Sequence, residues 1–228
     1  MFNSVWFSVY LCGIKVETDL LTKLGNKEVT KVELAQKVES NFDLLPTLLE
    51  GTSSSKATIR YGCGKVLMDL SEKYPKKLYP YMDFFVGLLD NKYRILKWNA
   101  MAIIANLTKV DEDCKFEAIF DKYYSYLGDE YMVTVANVVG NSAKIALAKP
   151  YLAQRITIQL LKVKDIKVTP HLTEECKLVI AEQAIKTFDT FFGHIDAKEQ
   201  VIAFAKKQLD SSRTSLREEA QIFLKKWR

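Results

Sequence analysis

Residues 90–107 read DNKYRILKWNAMAIIANL, and residues 210–227 read DSSRTSLREEAQIFLKKW. Both stretches keep one register. An acid is followed six residues later by Leu and seven later by a base, with Ala at ten and apolar residues at thirteen, fourteen and seventeen. These offsets fall on one face of an α-helix. They predict one buried stripe of Leu96, Ala100, Ile103, Ile104 and Leu107, and another of Leu216, Ala220, Phe223, Leu224 and Trp227.

Three further copies share the spacing. They are Ile59, Cys63, Val66, Leu67 and Leu70; Val135, Val139, Ala143 and Ala146; and, most divergent, Ile180, Ala184, Thr187, Phe188 and Phe191. The copies begin at 59, 96, 135, 180 and 216, so the spacings are 37, 39, 45 and 36 residues. That is the length of a helical hairpin with two short turns. Apolar segments near 42–50, 76–89, 116–127, 150–161 and 197–209 supply the partner helices. Turn-forming residues precede the second helices at Gly51 and the serines after it, Asp90-Asn91, Gly128-Asp129 and Ser211-Ser212.

The sequence resembles the HEAT-repeat family on Pro80, Leu88-Leu89-Asp90, Leu96-Lys97 and Ala100, and again on Leu209-Asp210, Leu216-Arg217 and Ala220. The resemblance covers roughly 41–228 and departs at Ala136 and Ala181, where a base is expected, and in the fourth copy, which lacks the turn acid. It implies an all-α fold, a right-handed α-α superhelix (α-solenoid) of about five HEAT-like hairpins. The expected organisation is a helical N-terminal cap over 1–40 and an array over 41–228, with repeats near 41–74, 75–110, 111–148, 149–194 and 195–228. In the cap, Gly25-Asn26 breaks two short helices, and Thr30 with Glu33 forms a capping box that opens the second. Stacked hairpins bury a continuous core that one hairpin cannot. The alanines at 100, 143, 184 and 220 allow helices to approach closely.

The net charge of the 228 residues is +5, and residues 206–228 carry +4 of it. Basic residues at the end of a last helix complement its dipole, so the excess has a structural explanation. Cys12, Cys63, Cys114 and Cys176 lack metal-ligand spacing and suit a reducing cytoplasm, with Cys63 in the core. The apolar stretch MFNSVWFSVYLCGI, 1–14, is too short to span a bilayer. It reads as a first helix or cap, or as an extension from an upstream start; a degenerate signal peptide is the other reading. With no membrane span, the protein is expected to be soluble and cytoplasmic.

No catalytic constellation emerges. Gly62-Cys63-Gly64 lies inside a helical pattern without the strand a phosphate loop needs, and His171 and His194 have no nucleophile in pattern. Asp111/Asp113 and Glu174/Glu175 read as dipole partners at helix starts. No enzyme activity, cofactor, metal or small-molecule substrate is inferred. The expected role is a non-enzymatic scaffold or adaptor that binds a protein partner on its concave surface. The candidate positions are Arg60, Lys97, Asn99 and Arg217 beside the apolar stripes, and Lys164 and Lys167 in the long loop that produces the 45-residue spacing. The small-sided run VANVVGNSA, 135–143, reads as tight packing or as a floor where a ligand backbone comes close. The alternative is nucleic-acid binding. HEAT-like DNA alkylation-repair glycosylases are similar in length and fold, but they use aromatics and a carboxylate among bases in a cleft.

Overall fold

The computed structural model describes residues 20–227; the expectations for 1–14, Cys12 and Arg228 lie outside them. The described residues form helices and no strand, apart from an isolated bridge between Thr169 and Leu172. The helices are α1 (Lys31–Ser40), α2 (Leu45–Gly51), α3 (Ala57–Lys73), α4 (Pro75–Leu78), α5 (Met82–Leu88), α6 (Arg94–Leu107), α7 (Lys115–Ser125), α8 (Met132–Ala148), α9 (Ala153–Leu160), α10 (Glu174–Phe191), α11 (Lys198–Lys207) and α12 (Thr214–Lys226). The five expected apolar stripes lie on α3, α6, α8, α10 and α12. The chain divides into two compact units, 1–103 and 104–228.

In the first unit, α1 starts where the sequence places its capping box. Glu33 N donates to Thr30 Oγ1 at 3.2 Å, and Thr30 N donates to Glu33 Oε2 at 2.8 Å. Helices α1 and α2 pack on α3, burying Leu34, Val38, Leu48, Cys63, Leu67 and Leu70. Burial pushes the Cys63 thiol up to about 12, so it stays protonated as a small core residue. Gly62 and Gly64 are helical, and Gly64 has a packing reason. A Cβ there would lie 2.7 Å from Asn99 Nδ2 and 2.8 Å from Leu96 Cδ2.

In the second unit, α8 packs most extensively on α10, and α10 on α12. Small residues permit the first approach: Thr187 Oγ1 donates across it to the main-chain oxygen of Val139 at 3.1 Å. The α10 stripe, Ile180, Ala184, Thr187, Phe188 and Phe191, is buried throughout. On α7, Phe116, Phe120, Tyr123 and Tyr124 are buried, and the Tyr124 hydroxyl meets Ser142 Oγ at 3.1 Å.

One local device repeats before four of the second helices. Three residues before the helix start, a polar side chain accepts the N–H two residues on. Ser54 takes Lys56 N at 3.2 Å, Asn91 takes Tyr93 N at 2.9 Å, Asp129 takes Tyr131 N at 2.9 Å and Ser211 takes Arg213 N at 3.2 Å. Such side chains mimic a backbone turn and satisfy a donor that the helix start leaves open. The fourth hairpin differs: Thr173 caps α10 directly by accepting Cys176 N at 3.3 Å.

The long loop before α10 is folded against α8. Thr169 Oγ1 donates to Glu130 O at 2.6 Å, Met132 N donates to His171 O at 3.3 Å, and the His171 ring stacks on Tyr131 with centroids 4.2 Å apart. Val163 and Leu172 are buried beneath it. The turn at 161–165 therefore has a defined place in this unit.

Candidate partner-binding surface

The sequence-predicted residues fall into three situations. Arg60 is buried, with 5% of its surface exposed. Its Nη1 donates to Ser54 O at 2.8 Å and Ser55 O at 3.1 Å, and the guanidinium lies over the rings of Tyr93 and Tyr61, 3.7 Å and 4.7 Å from their centroids. Arg217, half-buried, repeats the pattern. Its Nη1 donates to Ser211 O at 2.6 Å and Ser212 O at 3.1 Å, and its Nη2 to Thr214 Oγ1 at 3.0 Å. Both arginines clasp the turn that opens their own helix. Charge-assisted hydrogen bonds and a desolvated cation–π contact make Arg60 the more costly to remove. Arg60→Met is expected to lower the urea-unfolding free energy by about 2 kcal/mol, and Arg217→Met by about 1 kcal/mol, since the second group is partly solvated. Equal losses below about 0.5 kcal/mol would mean that the clasp carries no stability.

Lys97 and Asn99 lie half-buried on α6, Asn99 against Gly64. Lys164 and Lys167 are exposed in the loop before α10. The two do not share a depression: Lys164 borders a cleft against α11, whereas Lys167 borders another against the end of α7.

Residues that the sequence reading did not single out form a more coherent face on α8 and α10. Asn137 and Asn141 stand one helical turn apart. Asn137 Nδ2 donates to Val133 O at 2.8 Å and Asn141 Nδ2 to Asn137 O at 2.9 Å. Among the described residues, neither side-chain oxygen accepts a hydrogen bond, so both are available to an external N–H. Gly140 lies between them, and Gln183 of α10 crosses it closely enough that a Cβ at Gly140 would sit 3.5 Å from Gln183 Nε2. Lys144, further along α8, donates to Asn106 Oδ1 at 2.9 Å. A sequence signal existed: two asparagines four apart in a helix interior, where Asn is a poor helix former. In sequence, the run 135–143 reads as tight packing or as a floor for a ligand backbone, which gives the two asparagines no role of their own.

Two charged clusters tie this unit together. Lys149, at the end of α8, is 3.0 Å from both Asp111 Oδ2 and Glu117 Oε1 and donates to the Tyr151 hydroxyl at 3.1 Å. Tyr151 in turn donates to Glu117. Glu182 of α10 accepts from Lys186, Ser215 and Arg213 at 2.7, 2.7 and 3.0 Å. Among the described residues no group of three or more His, Cys, Asp or Glu is placed to hold a metal ion, and no helix is long and apolar enough to cross a membrane.

Comparison with known proteins defines the class. No protein-family model matches the chain. A designed armadillo repeat protein superposes with a TM-score of 0.56 at 17% identity, covering 93% of each chain. A second, described as in complex with the peptide (KR)4, gives 0.58 at 15% identity over 91% of each. In sequence, 94 residues, 41% of this chain, are 29% identical to an uncharacterized protein of Methanocaldococcus jannaschii; the match spans 45% of that relative. The fold is therefore an armadillo/HEAT-like helical repeat.

Proposed function

We propose that this protein is a non-catalytic scaffold that holds an extended segment of a partner protein across α8 and α10. The observation that carries the reading is the amide-lined face formed by Asn137, Asn141 and Gln183 around Gly140. An extended chain presents alternating N–H and C=O groups, which side-chain amides can pair with irrespective of sequence. Gly140 leaves room for the Gln183 amide to lie between the two asparagines. The designed armadillo protein solved with (KR)4 shows that its own repeat fold accepts a peptide. Lys97 and Asn99 on α6 lie in the first unit and are proposed as separate contacts there, and we treat the expected hairpins over 41–228 as the repeats. The free thiols of Cys63, Cys114 and Cys176 suit a cytoplasmic location.

Nucleic-acid binding ranks second because Arg60 and Arg217, which would have to meet phosphates, are engaged by their own turns. An array of labelled nonapeptides separates the two. The peptides that bind best should lose about tenfold in affinity when Asn137→Ala is combined with Asn141→Ala, a loss typical of a few interface contacts. Equal affinity in that variant, or no peptide binding alongside duplex DNA binding that weakens steeply with salt, would replace this reading.

A further inference from the structure

A second surface lies on the other helices of the last two hairpins. Between α9, the turn at 161–165 and α11 runs a cleft of about 500 Å³. Its floor is apolar: Ile158, 48% exposed, with Leu161, Ala203 and Phe204. Its rim is basic, with Lys162, Lys164 and Lys207 against Asp165.

What marks this cleft among the described residues is an exposed apolar floor beside bases that meet no acid. Several bases elsewhere in the unit meet acids: Arg155 with Asp121, Lys177 with Glu174, Lys186 with Glu182, and Lys226 with Asp189. Among the described residues, neither Lys164 nor Lys207 has such a partner, and Lys162 reaches only the amide of Gln159. Lys207 complements the C-terminal end of α11, which explains a base there. It does not explain an apolar floor left open beneath three lysines. The buried Val163 holds the turn that carries Lys162 and Lys164 in place, so the rim is pre-organised.

We propose that this cleft docks an acidic segment of a partner protein through one bulky apolar side chain. The side chain would cover Ile158 and Ala203, backed by the buried Phe204, and flanking carboxylates would meet Lys164 and Lys207. An apolar anchor within a polar rim is the usual division of labour in a protein interface, the rim setting specificity and approach. The inference shares the premise that the partner is a protein, but it uses first helices rather than the amide face of α8 and α10.

The probe is a fluorescein-labelled peptide, Glu-Asp-Glu-Leu-Phe-Asp-Glu-Asp, followed by anisotropy on the full chain. A sister peptide carries Ser-Ser in place of Leu-Phe. The first peptide should bind in the micromolar range. Affinity should fall about tenfold with the sister peptide, with Ile158→Ser, and with Lys164→Glu combined with Lys207→Glu. The same tenfold falls should be seen when Asn137→Ala combined with Asn141→Ala is the background, because the two surfaces are separate. These are surface positions, and unchanged melting curves will show that the variants fold. If the sister peptide or a single-stranded oligonucleotide binds as well as the first peptide, the rim is a general polyanion surface and the proposal fails. If affinity is lost only in the asparagine variant, peptides bind the amide face, so the scaffold reading survives and this cleft is excluded. No binding at millimolar peptide also overturns the proposal.

Discussion

Replacing Lys149 with Met should lower the unfolding free energy by about 3–5 kcal/mol, the range seen when one partner of a buried ion pair is removed. Lys149 has 5% of its side chain exposed and Asp111 none. Asp111 is also the cap of α7, accepting Lys115 N at 2.8 Å and Phe116 N at 2.9 Å. The ammonium thus ties the end of one helix in the hairpin to the start of the other. Without it, the carboxylate of Asp111 stays buried with two N–H donors but no counter-charge, and Glu117 loses its cation. Burial alone would lower the Lys149 pKa, but hydrogen bonds to Tyr151, Glu117 and Asp111 outweigh it and raise the value. For Glu117, burial acts upward, and the hydrogen bonds from Tyr151 and Lys149 prevail and lower it. A raised Lys loses its contribution only at alkaline pH; a lowered Glu loses its contribution as pH falls below the ordinary carboxylate range. The gap between wild type and Lys149→Met should therefore be flat from about pH 5 to 9 and narrow in acid. Asp111→Asn should cost less in the Lys149→Met background than in wild type, since it then removes an uncompensated charge. A loss below about 1 kcal/mol would put the cluster with ordinary surface pairs.

The helices were legible because their information is local. A period of three to four apolar residues, repeated at hairpin spacing, specifies α6 and α12 from the sequence around Leu96 and Leu216, and Thr30 with Glu33 marks the start of α1. The turn acids and serines were read as breaks, and the structure adds that Ser54, Asn91, Asp129 and Ser211 each catch an N–H in the same register. Side-chain roles that depend on distant partners were not legible. Arg60 looked like a surface base because the aromatic walls that bury it come from Tyr61 beside it and Tyr93, a hairpin away. Lys149 meets acids 32 and 38 residues earlier, separations at which the sequence offers no pairing signal. The candidate face was half visible: periodicity exposed the small residues of 135–143, but the placement of Gln183 over Gly140 depends on how α10 crosses α8.

The second large effect is acid lability of the last hairpin, set by Glu182. This carboxylate has 13% of its side chain exposed, and it joins α10 to the start of α12 through Arg213 and Ser215. Burial pushes its pKa up, but hydrogen bonds from Lys186, Ser215 and Arg213 outweigh that and hold it at about 2. A carboxylate held below its unfolded value of about 4.3 stabilises the fold fully above that value and progressively less as pH drops toward 2. The contribution at neutral pH is on the order of 3 kcal/mol, of which about 2 kcal/mol is lost by pH 3. Other carboxylates titrate in the same window, so the measurement is a difference of differences. Urea unfolding of wild type and Glu182→Gln is compared at pH 7 and pH 3. Glu182→Gln should be less stable at pH 7, and its own drop between the two pH values should be smaller than that of wild type by about 2 kcal/mol. Trp227, whose Nε1 donates to Asp189 Oδ1 at 2.6 Å between the same two helices, gives a local readout. In a variant with Trp6→Phe and Trp98→Phe, its fluorescence should change at milder acid than helicity as a whole. Equal pH drops in wild type and Glu182→Gln would mean that Arg213, which also pairs with Glu175, holds α12 without Glu182. Fluorescence and helicity changing together would show that α12 does not release ahead of the rest of the chain.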